Sequence, residues 1–352
     1  MCQRVLRVVS ILLLAIPLSG CVDFSPDGRQ LVLAWFTGEG RRGLAMVNAD
    51  SARLKPVPGG EGGNLPGWSP DGKYILFATA PSTMSLYDVE KHRTHILGAN
   101  LQPPFAWRED SKRFATIRTR EDGEQEVVWY NLPEGGITFT TLLPCKDVAK
   151  MVWLPNTDDL ALLGTDAGGQ NVYMLESAES KKITTTNDVI GLSLSADRQK
   201  LIWARKSKNP RYILLSIYAY DLKSRSVLRM PFPHRVPALN PNPRTNLKSV
   251  DYVTFSPDGR RLVLLATFSA PSVRGKPNDS EYTACYSVSM TGTNARLLRR
   301  SQPTPESLFA LPVWSPDGQQ LALLWREDKT TTLSLFQADG AGERRLLTFT
   351  EK

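Results

Sequence analysis

The chain has 352 residues, 41% of them hydrophobic, with 43 Lys and Arg against 35 Asp and Glu and a formal net charge of +8. That length supports a large core, housed either in one big all-β domain or in two smaller ones. The basic excess suits an anionic membrane, peptidoglycan acids or polyanionic glycans, or serves solubility alone; nucleic acid is excluded as a partner if, as the first residues indicate, the chain leaves the cytoplasm.

Arg4 and Arg7 precede an apolar run, Val8 to Pro17, that is too short to span a bilayer. Leu18-Ser19-Gly20-Cys21 follows. Small residues before a cleavage point fit the narrow pockets of signal peptidases. The tetrapeptide resembles the bacterial lipobox, which implies cleavage before Cys21 and diacylglycerol on its thiol; the alternative is an ordinary signal peptide with a chance cysteine. We therefore expect a signal peptide over 1–20 and a single mature domain over 21–352. Losing two arginines and no acid leaves that domain at +6. Its location is a bacterial membrane, facing the periplasm or exterior, and the outer membrane where there are two.

The mature chain repeats itself. Phe24-Ser-Pro-Asp-Gly28, Trp68-Ser-Pro-Asp-Gly72, Phe255-Ser-Pro-Asp-Gly259 and Trp314-Ser-Pro-Asp-Gly318 are clear copies. Trp107-Arg-Glu-Asp-Ser111, Trp153-Leu-Pro-Asn-Thr157 and Leu194-Ser-Ala-Asp-Arg198 are degenerate ones. In every copy the next apolar run begins seven positions after the lead residue: Phe24/Leu31, Trp68/Ile75, Trp107/Phe114, Trp153/Leu160, Leu194/Leu201, Phe255/Leu262 and Trp314/Leu321. Proline presets the turn, aspartate bonds amides across it, and glycine takes the positive φ that closes it. We expect Gly259→Val to cost more than Gly62→Val for that reason, since Gly62 sits in a loose glycine-rich stretch with no repeated role.

The run after each turn is apolar on both faces, as in Leu262 to Ala266 and Leu321 to Trp325, so this strand is covered on both sides. A third strand follows, as in Ser85 to Glu90, Val127 to Asn131, Ile217 to Asp221 and Leu333 to Gln337. A more polar fourth comes after it, as in Arg93 to Leu97 and Arg344 to Thr348. Four strands per repeat of 40–60 residues make a blade, and the fold class is an all-β β-propeller of seven blades. The aromatic-Ser-Pro-Asp-Gly turn, the apolar strand after it and the closing Arg-Arg-Leu-Leu-Thr resemble the TolB-type propeller repeat, a relative of the WD-repeat, over nearly all of 22–350. The resemblance implies fold more than function. TolB carries an extra amino-terminal domain for which there is no room between Cys21 and Phe24, and it is soluble in the periplasm. Both departures argue against a role in the Tol system.

In this alignment Cys145 and Cys285 fall three blades apart, too far to pair, and are expected as buried free thiols. The short turns make one face plain. Residues 229–250, 268–281 and 299–309 are long insertions on the other face, over blades five to seven. They carry His234, Arg235, Arg244, Lys248, Arg274, Lys276, Arg299 and Arg300, with Tyr282 and Phe309 near them. Seven of these, Arg235, Arg244, Lys248, Arg274, Lys276, Arg299 and Arg300, are the candidate partner-binding residues; the alternative is ordinary solvated loop.

Catalytic motifs are absent: there is no Gly-x-Ser-x-Gly elbow and no room for the hydrolase domain that carries one. An oligogalacturonate-lyase-like metal site needs several converging histidines. This chain has three, with His92 and His95 at a blade-two turn and His234 distant. The expectation is a non-catalytic, monomeric envelope lipoprotein without cofactor, binding an envelope protein or a polyanionic or glycan partner by its long-loop face. The alternative is a carbohydrate-active enzyme, hydrolase or lyase, using carboxylates in the axial channel, with Glu39, Asp122 and Asp166 as candidates.

Overall fold

The computed structural model describes residues 22–36, 42–79, 82–133, 135–176, 179–206, 215–232, 246–269, 281–301, 308–309 and 311–350. The segment up to Cys21 lies outside them, as do Glu39, His234, Arg235, Arg244, Arg274 and Lys276.

Seven antiparallel sheets form a ring, each built from consecutive strands. Blade one holds β1 (Val22–Phe24), β2 (Gln30–Phe36), β3 (Arg42–Asn48) and β4 (Leu54–Pro56). Blade two holds β5 (Asn64–Trp68), β6 (Tyr74–Thr79), β7 (Thr83–Asp88) and β8 (Arg93–Ala99). Blade three holds β9 (Leu101–Trp107), β10 (Arg113–Thr119), β11 (Gln125–Asn131) and β12 (Ile137–Leu142). Blade four holds β13 (Asp147–Trp153), β14 (Leu160–Asp166), β15 (Gly169–Glu176) and β16 (Glu179–Lys182). Blade five holds β17 (Val189–Leu194), β18 (Lys200–Lys206), β19 (Leu215–Asp221) and β20 (Ser226–Arg229). Blade six holds β21 (Asn246–Phe255), β22 (Arg261–Ser269), β23 (Glu281–Ser289) and β24 (Arg296–Arg300). Blade seven holds β25 (Leu308–Phe309) and β26 (Val313–Trp314), which share the inner place, then β27 (Gln320–Glu327), β28 (Thr330–Gln337) and β29 (Arg344–Thr350).

The seven-residue register is real in space. Each lead residue is the cross-strand partner of the residue seven positions on, in all seven blades from Phe24↔Leu31 to Trp314↔Leu321. The turn that sets it depends on a residue the sequence reading passed over. Ser25 Oγ donates to Asp27 Oδ1 (2.6 Å) and accepts from Gln30 N (2.9 Å), while Asp27 Oδ1 accepts from Arg29 N (3.0 Å). Ser256 and Ser315 repeat the arrangement, and Ser195 does so in a degenerate copy. The glycine position has φ of 70°, 73°, 69° and 70° in the four clear copies. Ser111 and Arg198 hold the same left-handed geometry at 59° and 57°, and in the fourth copy it moves one residue earlier, to Asn156.

Because both faces of a blade pack on neighbours, the core is divided into seven clusters, one per interface. In β2, Val32 joins Leu44, Trp68, Ile75 and Phe77 toward blade two, whereas Leu31 and Leu33 join Leu324, Leu333 and Leu335 toward blade seven. That is the two-residue period of a strand read out on two partners. The latter cluster also closes the ring, helped by Arg344 Nη1 donating to the Asp50 carbonyl (3.1 Å). Cys285 is buried in blade six and Cys145, in the link from blade three to blade four, is only half-buried; both are free thiols. Among the described residues no helix is long and apolar enough to cross a membrane.

Candidate functional site

The first strand of each blade lies at the inner edge of its sheet, so β1, β5, β9, β13, β17, β21 and β25/β26 wall the axial channel. Residues at the lead position and two before it pack toward the preceding blade. Val22 and Phe24 do so on blade seven, Met151 and Trp153 on blade three, and Val253 and Phe255 on blade five. Alternation turns the residues one and three before the lead toward the following blade and the channel wall. One before the lead stand Asp23, Gly67, Ala106, Val152, Ser193, Thr254 and Val313; three before stand Lys150 in blade four and Tyr252 in blade six.

Small side chains at the lower level leave Asp23 as its one ionisable group. Asp23 Oδ2 reaches across to blade two and accepts from Trp68 N (2.9 Å). Burial pushes its carboxyl up to about 7, against the backbone N–H groups of Trp68 and Phe24, which favour the anion. Gly67 is beside it for a steric reason: a Cβ there would lie 2.7 Å from the Phe105 ring of blade three. Two residues higher, roughly 7 Å along the axis, desolvation lowers the Lys150 ammonium to about 8 and raises the Tyr252 phenol. Asp147 and Asp251 are exposed farther up β13 and β21, and Asp251 Oδ2 accepts from Thr267 Oγ1 (2.6 Å).

Of the carboxylates singled out from sequence, Asp122 and Asp166 lie elsewhere, and Glu39 lies outside the described residues. Asp122 sits in the exposed turn between β10 and β11, ion-paired with Arg120 (3.0 Å). Asp166 ends β14 and is saturated by Lys182 Nζ (2.5 Å), Tyr173 OH (2.7 Å) and Gly168 N (2.8 Å), which hold it well below the usual carboxylate range. Of the candidate basic residues, Lys248, Arg299 and Arg300 fall among the described residues. Lys248 is exposed on β21. Arg299 stacks over Trp325 (3.7 Å) and pairs with Glu327 (3.6 Å), and Arg300 stacks over Tyr282 (3.6 Å). Of the histidines, His92 Nδ1 meets Tyr87 OH (3.0 Å) and His95 is exposed on the outermost strand of blade two, while His234 lies outside the described residues. Asp23 and Lys150 escaped sequence reasoning because they lie inside strands. The signal that finds them is a charge at an apolar position of the repeat.

No family model matches the chain, and no curated protein matches it in sequence. Solved structures do. An oligogalacturonate lyase in complex with manganese superposes with a TM-score of 0.61 at 13% identity, over 90% of this chain and 87% of that one. The oligogalacturonate lyase of Vibrio parahaemolyticus gives 0.61 at 11% identity, over 93% and 87%. TolB from Acinetobacter baumannii gives 0.50 at 17%, over 92% of this chain and 65% of TolB. These identities establish the propeller fold and no more. They nonetheless overturn the expectation of a non-catalytic scaffold. That expectation rested on a bare propeller lacking an added catalytic domain, and propellers of matching extent include oligogalacturonate lyases. A manganese centre does not fit the described residues, among which no three His, Cys, Asp or Glu side chains converge, so no step below passes through a metal.

Proposed function

We propose that this propeller is a glycan-cleaving enzyme whose reaction takes place in the axial channel, with Asp23 as the proton donor to the departing glycosidic oxygen. The observation that carries the reading is the Asp23 carboxyl, set in the inner wall with its acidity shifted to about 7. A carboxylic acid that stays protonated near neutrality is what departure of a sugar alkoxide requires: the proton moves to the oxygen as the C–O bond breaks. The Trp68 N–H fixes Oδ2 of that carboxyl. The lyases of matching architecture support the same reading.

The test is incubation with a panel of neutral and acidic polysaccharides, following new reducing ends and ultraviolet absorbance of unsaturated sugars. Reducing ends alone mark hydrolysis and both signals together mark elimination. Asp23→Asn should lower the rate by at least about a hundredfold. Cleavage by the variant at the rate of the wild type, or no cleavage of any member, sinks the reading.

We also propose that the enzyme is lipid-anchored through Cys21, on the strength of Leu18-Ser-Gly-Cys21 and the charged and apolar segments before it. Two or three acyl chains anchor stably where one does not. Cys21→Ser should leave the precursor uncleaved or move the mature protein to the soluble fraction; a variant that stays in the salt-washed membrane pellet, with no fatty-acid label in the wild type, refutes the anchor.

A further inference from the structure

Several charged groups near the upper end of blades three to five are mated. Arg118 pairs with the buried Glu126 through Nε (2.5 Å). Lys182 is bound to Asp166, and Arg205 grips Asp188 with two parallel bonds of 2.8 and 2.9 Å. Lys150 stands among them as an exception, making no hydrogen bond and no ion pair with any described residue. The ionisable groups on the elements packed against its strand explain why. β9 and β17 have none; β14 has Asp166, already saturated; β13 itself has Asp147, exposed three residues away. The backbone sets the lysine apart as well. Val148↔Gly164 and Lys150↔Leu163 are successive pairs with Ala149 bulged between them, which re-aims the strand at this residue. On the innermost strand this cation is half-buried, and the alternation of β13 turns it toward the following blade.

We propose that Lys150 is the receptor for an anionic substituent of the ligand, a carboxylate or a sulfate, held in the axial channel about two residues above Asp23. This rests on the channel being the glycan site. A half-buried cation without a partner costs stability, and a protein keeps such a group where a ligand supplies the missing charge. Hydrophobic neighbours make that charge pair stronger than it would be in water.

The experiment is calorimetric titration of the full chain with an oligogalacturonate, its methyl ester and a sulfated heparin oligosaccharide. The wild type is expected to bind at least one acidic probe at least tenfold more tightly than the ester. Lys150→Met should lose that preference, Lys150→Arg should keep it, and binding should weaken as pH rises past about 8, where the amine gives up its proton. Which acidic probe binds distinguishes carboxylate from sulfate. Asp23→Asn, inactive on the reading above, should still bind. Failure of cleavage and failure of anion recognition are therefore separate results. A readout independent of ligand comes from stability. The folded state disfavours the Lys150 cation, a penalty fully present below about pH 8 and gone above the ordinary lysine value of 10.5, so Lys150→Met should raise the Tm at pH 7 and leave it unchanged at pH 11. Equal binding by Lys150→Met and wild type, equal affinity for acid and ester, or no binding of either acidic probe by the wild type overturns the proposal.

Discussion

Asp23 and Asp27 are four residues apart in one blade and are governed by opposite forces. Asp27 belongs to the rim of short turns, where the Ser25 hydroxyl and the Arg29 N–H hold its carboxyl below the usual value. Asp23 belongs to the channel wall, where loss of water outweighs two backbone donors and drives its carboxyl up. The rim carboxylate is embedded in local bonds that stabilise its charge, and Asp197 and Asp317 repeat the pattern with Ser195 and Ser315. The wall carboxylate has no counterpart in the other blades. What recurs in every repeat builds the fold; what departs from the repeat, at a cost, marks the site.

The contrast is broken most severely at the glycines. Gly191 lies on the inner strand β17 with φ of +68°, and any Cβ there would overlap the Val253 carbonyl oxygen of blade six. Gly191→Val should cost more than about 4 kcal/mol or prevent folding, measured by denaturant unfolding. At the rim, Gly259 has φ of +69° and a Cβ would meet Ala196 at 3.4 Å. Gly62, expected from the sequence to be unconstrained, in fact has φ of +72°, with nothing within 4 Å of a Cβ. Valine should therefore cost about 1–2 kcal/mol at both sites, somewhat more at Gly259, because the left-handed backbone is shared and only the contact differs. A Gly191 variant as stable as the Gly62 variant would remove the close approach of blades five and six.

A smaller effect separates the two aspartates by pH. The raised Asp23 carboxyl favours the fold in its protonated form; that contribution is complete below about 3.8 and lost as pH rises through about 7. Asp23→Asn keeps the acceptor for Trp68 N and should stabilise by roughly 2–4 kcal/mol at pH 8 while changing nothing at pH 3. The lowered Asp27 carboxyl contributes above the ordinary value and loses that contribution as pH falls through its own depressed one. Asp27→Asn should cost about 1 kcal/mol at pH 7 and less in acid. Thermal melts of both variants across pH check the signs. Two curves of the same slope would mean that wall and rim do not differ.

Fold and site were unequally legible before the structure. Blade number and strand register follow from a turn chemistry that depends on neighbouring residues: Ser25, Asp27 and Gly28 act within six residues of one another, and seven copies repeat the lesson. The serine was missed as the hub of that turn because its bonds to Gln30 N and O close only when the next strand is in place. The candidate acids Asp122 and Asp166 were chosen for lying in turns, where carboxylates are usually solvated or locally bonded, as these prove to be.

The sequence by itself determined a seven-fold β-propeller, because periodic hydrophobicity and short-range turn geometry are local properties that the chain writes directly. It also fixed the alternation by which Leu31 and Val32 face different neighbours. Tertiary structure alone decided which charges would be mated and which left facing the channel. Asp166 finds Lys182 across a sheet, Asp23 finds the backbone of the next blade, and Lys150 finds no partner among the described residues. Electrostatic environment in a ring depends on groups brought together from distant repeats and on the water excluded between them, and neither is encoded at any single position of the chain.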